Sequence, residues 1–122
     1  MVNYRRTEQA IDDIAAILDH TIEDFGYQAA VRYQTLIDTA ILAVADNPTG
    51  IGCKPVPELG ENIYRYQLAT AKNRVKPPAL RVKQPRHYLL YRLEDAGRMV
   101  AIGRVLHDRT LPAHYITGDT WN

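Results

Sequence analysis

The segment Arg104–Arg109, Arg-Val-Leu-His-Asp-Arg, contains the side chains best suited to take part in a chemical reaction. A histidine between arginines can act as a general base on a phosphodiester, while guanidinium groups stabilise the charge that develops on phosphate. Arg104 and His107, with Tyr115 further along, are therefore candidate catalytic residues for metal-free cleavage of RNA. The alternative is structural: His107 bonds to backbone at a strand end, and Arg104 pairs with a helix carboxylate. Residue types favour that alternative, since the spacing declares no partner acid or base.

Other catalytic chemistries find little support in the sequence. The single cysteine, Cys53, excludes a disulfide framework and a cysteine-rich zinc site, and the residue reads as part of a loop. His107 and His114 have no carboxylate at ligand spacing, so no metal is expected. No glycine pattern of the kind that cradles phosphates is present, and we expect no cofactor.

Charge is distributed unevenly along the chain, although the net charge is only +1. Residues 1–50 contain more acidic than basic side chains, whereas residues 63–92 contain eight basic side chains and no acidic one. These eight are Arg65, Lys72, Arg74, Lys76, Arg81, Lys83, Arg86 and Arg92. Such a cluster produces a positive surface potential that attracts an acidic partner. The alternative is a solvated face balanced by the acidic helices of the same molecule, and both interpretations stay open.

The first half of the chain predicts two helices. One stripe of apolar residues at three- and four-residue steps comprises Ile11, Ile14, Leu18, Ile22 and Phe25. Thr7 is placed to cap the start of this helix, and Gly26 to end it in the left-handed conformation. A second stripe comprises Ala29 or Ala30, Tyr33, Leu36, Ile37, Ala40, Ile41 and Val44. Asn47-Pro48 ends the second helix, and the two should form an antiparallel hairpin.

The second half predicts a sheet. Alternating residues indicate strands at 63–70, 87–93 and 99–106, the last two joined by a turn at 95–97, and residues 2–4 can form a short strand. Residues 71–86 contain three prolines and read as a loop or a ragged strand edge. The order β-α-α-β-β-β predicts an α+β fold. In this fold a helical hairpin packs on one face of a small antiparallel sheet, followed by a short C-terminal helix or tail.

The size and composition fit one domain over residues 1–122. No apolar segment follows the charges of the N-terminus, so no signal peptide is expected. No run of apolar residues approaches the length of a membrane span. We therefore predict a soluble, cytoplasmic protein without a membrane partner.

Five segments of the chain carry a resemblance to a known family. They are Thr-Glu-Gln-Ala-Ile-Asp-Asp-Ile at 7–14, Asp-Phe-Gly-Tyr-Gln-Ala-Ala at 24–30, Asn-Pro-Thr-Gly at 47–50, Pro-Arg-His-Tyr-Leu-Leu-Tyr-Arg at 85–92, and the segment at 104–109. In this order and spacing, from about residue 3 to 116, the chain resembles the RelE/ParE superfamily of toxins from bacterial type II toxin–antitoxin systems, on the ParE side. Thr110 and Leu111 stand where many ParE-like sequences have Met-Asp.

The resemblance implies a function, a target and a partner. ParE-like members poison DNA gyrase and so stop replication, without catalysing a reaction; RelE-like members cut mRNA on the ribosome, which here would mean a metal-independent endoribonuclease. Gyrase inhibition is the expected function, and mRNA cleavage is the alternative. A third interpretation is a plain nucleic-acid-binding module, in which the basic residues of 71–92 bind phosphate. The expected partner is a cognate antitoxin, ParD-like or of another family, whose extended or helical segment wraps the toxin in a hetero-oligomer.

We expect basic side chains to bind the target or the antitoxin. The candidates are Arg65, Arg74, Arg81, Arg86, Arg92, Arg104, His107 and Arg109. An open sheet face, on which Ile63, Ala69 and Leu89 alternate with cations, is expected to receive an amphipathic antitoxin segment.

Overall fold

Two long helices form the hairpin expected from the apolar periodicity. The computed structural model describes residues 1–122, with helix α1 at Glu8–Phe25 and helix α2 at Tyr27–Asp46. The Thr7 hydroxyl accepts a hydrogen bond from the backbone N–H of Ala10 (3.2 Å), as predicted for the cap. Gly26 joins the helices with φ 92° and ψ 171°, so it has the predicted positive φ but not the left-handed helical conformation. This region is open almost only to glycine.

A five-stranded sheet packs against the hairpin. The strands are β1 (Asn3–Arg6), β2 (Lys54–Pro55), β3 (Ile63–Gln67), β4 (His87–Glu94) and β5 (Met99–His107), in the order β1-β5-β4-β3-β2. The α+β fold is confirmed. Neighbouring strands are antiparallel except β1, which lies parallel to β5 and makes the sheet mixed. Residue alternation does not encode strand direction, and β2 has only two residues, so neither feature was predicted.

The strand predicted at 63–70 ends earlier, at Gln67. Residues Leu68–Ala71 form a single helical turn, α3, and both terminal residues of the turn are buried beside α2. A helical turn places residues three apart on one side, whereas a strand would send Leu68 and Ala71 to opposite faces of the sheet. The rest of the segment, residues 72–86, is the predicted loop, with short 3₁₀ turns at Lys72–Arg74 and Pro78–Leu80.

The main core lies between the helices and the inner face of the sheet. Helix α2 contributes the predicted stripe of Ala30, Tyr33, Leu36, Ile37, Ala40, Ile41 and Val44, all buried. The sheet contributes Tyr66, Leu89, Tyr91, Val100, Ile102 and Val105. Leu89 therefore faces the helices, and the expectation that it alternates with cations on an open face was wrong.

The buried side of α1 differs from the predicted stripe. Ala10 is buried and Ile14, Ile17 and Leu18 pack against the core, whereas Ile11, Ile22 and Phe25 are exposed. At 3.6 residues per turn, Ile11 and Ile22 lie roughly 100–120° around the helix from Ala10. The predicted stripe follows the large apolar side chains and omits Ala10, because a small side chain contributes little to an apolar pattern. No helix of the protein combines the length and the apolar character that crossing a bilayer requires.

The outer face of the sheet is covered by the C-terminal segment of the chain, residues 111–122. Ile63, Tyr88, Leu90 and Leu106 form a second cluster there with Val56, Leu59, Ile116 and Trp121. This tail has one 3₁₀ turn, at Pro112–His114, and a further turn at residues 118–121, and it contains no strand. The expectation of an open face was therefore wrong, and Ala69 lies in helix α3 rather than on this face.

A β-bulge in β5 lets the C-terminal segment pack closely on the outer face. Leu90 pairs with Arg104 while Tyr91 pairs with Ile102, so Gly103 is the extra residue on β5. The Trp121 ring lies so close that a Cβ on Gly103 would be 2.4 Å from its Cζ3 atom. Only glycine allows the indole to approach the strand in this way.

Candidate functional site

Arg104 lies on β5 just beyond the residues that pair with β1, where Asp13 of α1 reaches the strand. Its Nε and Nη2 donate to the two carboxylate oxygens of Asp13 at 2.7 and 2.9 Å, and its Nη1 donates to the Tyr115 carbonyl at 2.8 Å. Asp13 also accepts from the Val105 backbone N–H (2.9 Å). The hydrogen bonds that Arg104 donates to Asp13 raise the pKa of Arg104. Arg104 therefore pairs with a helix carboxylate, as the structural alternative to a catalytic role predicted.

Three arginine–aromatic contacts line the outer face. The guanidinium carbons of Arg65, Arg92 and Arg104 lie 4.2, 4.8 and 5.5 Å from the ring centroids of Tyr88, Trp121 and Tyr115. Contacts of this kind contribute roughly 0.5–1 kcal/mol each at exposed sites. Arg65 and Arg104 flank Leu90 in the strand register. The structure therefore brings three of the predicted binding residues together on the outer face, where Arg92 and Arg104 contact the tail.

Glu94 anchors two of the cations near this tail. It accepts hydrogen bonds from Arg5 and Arg92, and Arg5 also donates to the Trp121 carbonyl at 2.7 Å. Burial alone would raise the pKa of Glu94, but the bonds from Arg92 and Arg5 outweigh burial and lower it. Arg65, in contrast, forms no ion pair. It is the one arginine of the outer face whose charge is not balanced by a carboxylate.

A second cluster of polar side chains lies where β4 begins and β5 ends; this strand-end cluster contains Tyr33, Arg86, His87, His107 and Asp108. The Tyr33 hydroxyl accepts from the Arg86 backbone N–H (3.2 Å) and lies 2.6 Å from His87 Nδ1, to which it can donate. The His87 and His107 rings meet edge to face, with centroids 5.4 Å apart. Burial, and then the neighbouring His107, lower the pKa of His87 to about 4. His87 is therefore neutral at pH 7.

His107 is the more accessible histidine of this cluster. Its Nδ1 accepts from the Arg109 backbone N–H and lies 3.2 Å from Asp108 Oδ1, which is buried without a hydrogen bond. Arg86 approaches Asp108 to 3.8 Å. His107 is thus an exposed imidazole beside a carboxylate that Arg86 partly balances. No group of three or more side chains suited to binding a metal ion is present.

Sequence reasoning missed Tyr33 and His87 as members of this cluster. Tyr33 lies on the apolar stripe of α2 and reads as a core residue. The turn predicted at 95–97 is centred on Ala96 and would pair His87 with Val105. His87 lies opposite His107 in part because of the bulge at Gly103, which the sequence pattern does not show.

The remaining predicted residues lie in the loop at 72–86. Arg81 donates to the backbone carbonyls of Val75 (2.8 Å) and Asn73 (2.9 Å), so its guanidinium holds the loop in shape. Arg74 lines a shallow groove between the loop and α2, together with Lys76. The predicted residues thus fall into three places: the outer face, the strand-end cluster and the loop.

The fold of this chain is similar to that of a solved structure. One solved structure, described as a chromosomal ParDE TA system from P. aeruginosa, has a similar chain with a TM-score of 0.64 and 15% sequence identity. The alignment covers 88% of this chain and 96% of that one, which shows a shared fold. Among curated proteins, none matches significantly by sequence.

A family comparison covers nearly the whole sequence. The profile of the family described as "ParE toxin of type II toxin-antitoxin system, parDE" matches residues 4–112. This range includes both long helices, all three long strands and the segment at 104–109, and it confirms the resemblance that the sequence suggested. The chain therefore belongs to the ParE toxin family of type II toxin–antitoxin systems.

Proposed function

We propose that this toxin acts by binding DNA gyrase and blocking its reaction, without catalysing a reaction of its own. The observation that carries the proposal is the family match over residues 4–112, since gyrase inhibition is typical of ParE-like toxins. The geometry of Arg104 supports a non-enzymatic role. Its guanidinium is occupied by Asp13 and by the Tyr115 carbonyl, so it is not free to stabilise charge on a phosphate.

A supercoiling assay with purified gyrase and relaxed plasmid tests this proposal. We expect micromolar toxin to reduce supercoiling and to leave cleaved DNA that is trapped on the enzyme. Addition of the cognate antitoxin provides the control and should restore supercoiling. Unchanged supercoiling with no trapped cleavage, at toxin concentrations up to tens of micromolar, would overturn the proposed target.

The cognate antitoxin, ParD-like or of another family, is proposed to form a hetero-oligomer with this chain. Apolar area for such a partner is available on the helical hairpin, where Ile11, Ile22, Phe25 and Tyr27 are exposed. Buried apolar surface contributes roughly 25 cal/mol per Å², whereas each surface ion pair contributes only about 0–1 kcal/mol. We therefore assign affinity mainly to apolar contacts and encounter to cations such as Arg65.

The strand-end cluster favours one alternative function, ribosome-dependent cleavage of mRNA. His107 is exposed, Arg109 follows it by two residues, and Arg86 lies 3.8 Å from the neighbouring Asp108, so an imidazole and two arginines occur at one end of the sheet, a combination that suits a phosphodiester. Primer extension after toxin expression tests this alternative: breaks inside codons that disappear in His107→Ala but persist in the control His114→Ala would support it. Intact transcripts together with an induced DNA-damage response would exclude it.

A further inference from the structure

A group of exposed cations occupies the loop between α3 and β4. We propose that this loop binds the sugar–phosphate backbone of duplex DNA through Arg74, Lys76, Lys83 and Arg86, which we call the loop cations. All four are exposed. The inference rests on the proposed function for its setting, a toxin that acts on an enzyme bound to DNA.

The loop keeps a fixed shape, and two further basic residues provide it. Arg81 donates to the carbonyls of Val75 and Asn73, and Lys72 Nζ donates to the Lys83 carbonyl at 2.6 Å. Val75 itself is buried in the main core. Lys72 and Arg81 are thus used within the loop, which leaves the loop cations available on a support that needs little ordering on binding.

The loop cations are only partly balanced by acidic side chains. No aspartate or glutamate occurs between Glu61 and Glu94. From other parts of the chain, Asp46 lines the groove beside Arg74 and Lys76, and Asp108 lies 3.8 Å from Arg86. Four cations face two carboxylates, so the surface keeps a positive potential that attracts a polyanion.

The loop follows α2 over a length that suits several phosphates. Arg74 and Lys76 lie beside Leu42, whereas the Arg86 backbone bonds to Tyr33. Leu42 follows Tyr33 by nine positions in α2, which at 1.5 Å per residue is roughly 14 Å. One DNA strand carries a phosphate about every 3.4 Å of helix axis, so a surface of this length extends past several phosphates.

The chemistry of the surface favours a nucleic-acid backbone over an acidic protein segment. Leu80, which is 43% exposed, is the only exposed large apolar residue of the loop. A protein partner needs apolar anchors for its affinity, because exposed ion pairs contribute little. Phosphate contacts from arginine and lysine, in contrast, suffice for binding duplex DNA without sequence preference.

Fluorescence anisotropy of the full-length toxin with a 30-base-pair duplex, at several salt concentrations, tests the inference. The loop variant carries Lys76→Gln and Lys83→Gln, and the charge-matched control carries Lys54→Gln and Arg98→Gln. We expect the control to bind like the unchanged toxin. The loop variant should bind roughly tenfold more weakly at 0.1 M salt, with a salt slope smaller by about 1 for each cation removed.

The outcomes separate this inference from the proposed function. Binding that is absent, independent of salt, or reduced equally in both double variants would overturn the DNA contact. Unchanged DNA binding by the loop variant together with weaker antitoxin binding would also overturn it, because the loop would then belong to the protein interface. A toxin that inhibits gyrase without binding DNA overturns this inference alone, and one that binds DNA without affecting supercoiling overturns the gyrase target alone.

Discussion

At the scale of single residues, the contact between Asp13 and Arg104 is the ion pair with the largest expected effect on stability. Each side chain is only 16% exposed, and Asp13 also accepts from the Val105 N–H. Asp13→Ala should cost about 2–3 kcal/mol of unfolding free energy, because it leaves a largely buried guanidinium and an amide without their acceptor. Urea denaturation measures this, with Asp38→Ala, which breaks an exposed pair with Arg6, as the control at under ~0.5 kcal/mol. Equal losses would show that α1 does not depend on this pair.

His87 should make stability depend on pH. Its pKa is about 4 in the folded protein and about 6.5 when unfolded, so between these values the unfolded chain binds more protons. Unfolding free energy should therefore fall as the pH is lowered from 6.5 to 4, by about 2 kcal/mol once the partial exposure of the ring is allowed for. His87→Gln should flatten this part of the curve, while the exposed control His114→Gln should not. Parallel curves for all three proteins would contradict the assignment.

The residue scale also shows where sequence reasoning stops. The types and spacing of residues 104–109 identified Arg104 and offered two roles for it, a catalytic one and a carboxylate pairing. Asp13 lies 91 positions away along the chain, so no local pattern could select it among the acidic residues of the two helices. Tyr33 and His87 escaped notice for the same reason, since a stripe residue and a strand residue become a polar pair only when the elements pack.

At the scale of elements, Gly26 fixes the turn of the helical hairpin. Its φ of 92° is strained for any other residue, yet nothing lies within 4 Å of where a Cβ would stand. Gly26→Ala should thus cost about 1–3 kcal/mol through backbone conformation alone. Gly118→Ala, equally free of neighbours and without a positive φ, should change stability by less than ~0.5 kcal/mol. Thermal denaturation of both variants decides the point, and similar melting temperatures would refute the backbone explanation.

The same scale separates the elements that periodicity predicts from those that it does not. Both helices, the hairpin of β4 and β5 and the proline-rich loop follow from local patterns and turn residues. The parallel pairing of β1 and the covering of the outer face do not. The tail is held by Trp121 against Gly103 and by Arg5, contacts that join distant parts of the chain through a bulge that no residue pattern announces.

At the scale of the whole molecule, charge and apolar surface lie on different elements. The exposed apolar residues concentrate on the helical hairpin, which is acidic, whereas the unbalanced cations lie on β3 and on the loop at 72–86. A wrapping antitoxin can therefore use the hairpin for affinity and the cations for encounter, and the loop stays available for a polyanion. This division gives a chain with a net charge of only +1 separate surfaces for the two partners that we propose.

The division of roles predicts how charge reversal at Arg65 changes antitoxin binding. Arg65 stacks on Tyr88 and makes no ion pair, so its charge acts mainly through the field around the molecule. Arg65→Glu should slow association with the cognate antitoxin several-fold at low salt, and the difference should shrink as salt is added, while dissociation changes less. Arg98→Glu, a reversal at an arginine already paired with Asp95, is the matched control. Stopped-flow kinetics separates the two rates; an unchanged association rate with much faster dissociation would make Arg65 a buried anchor of the interface instead.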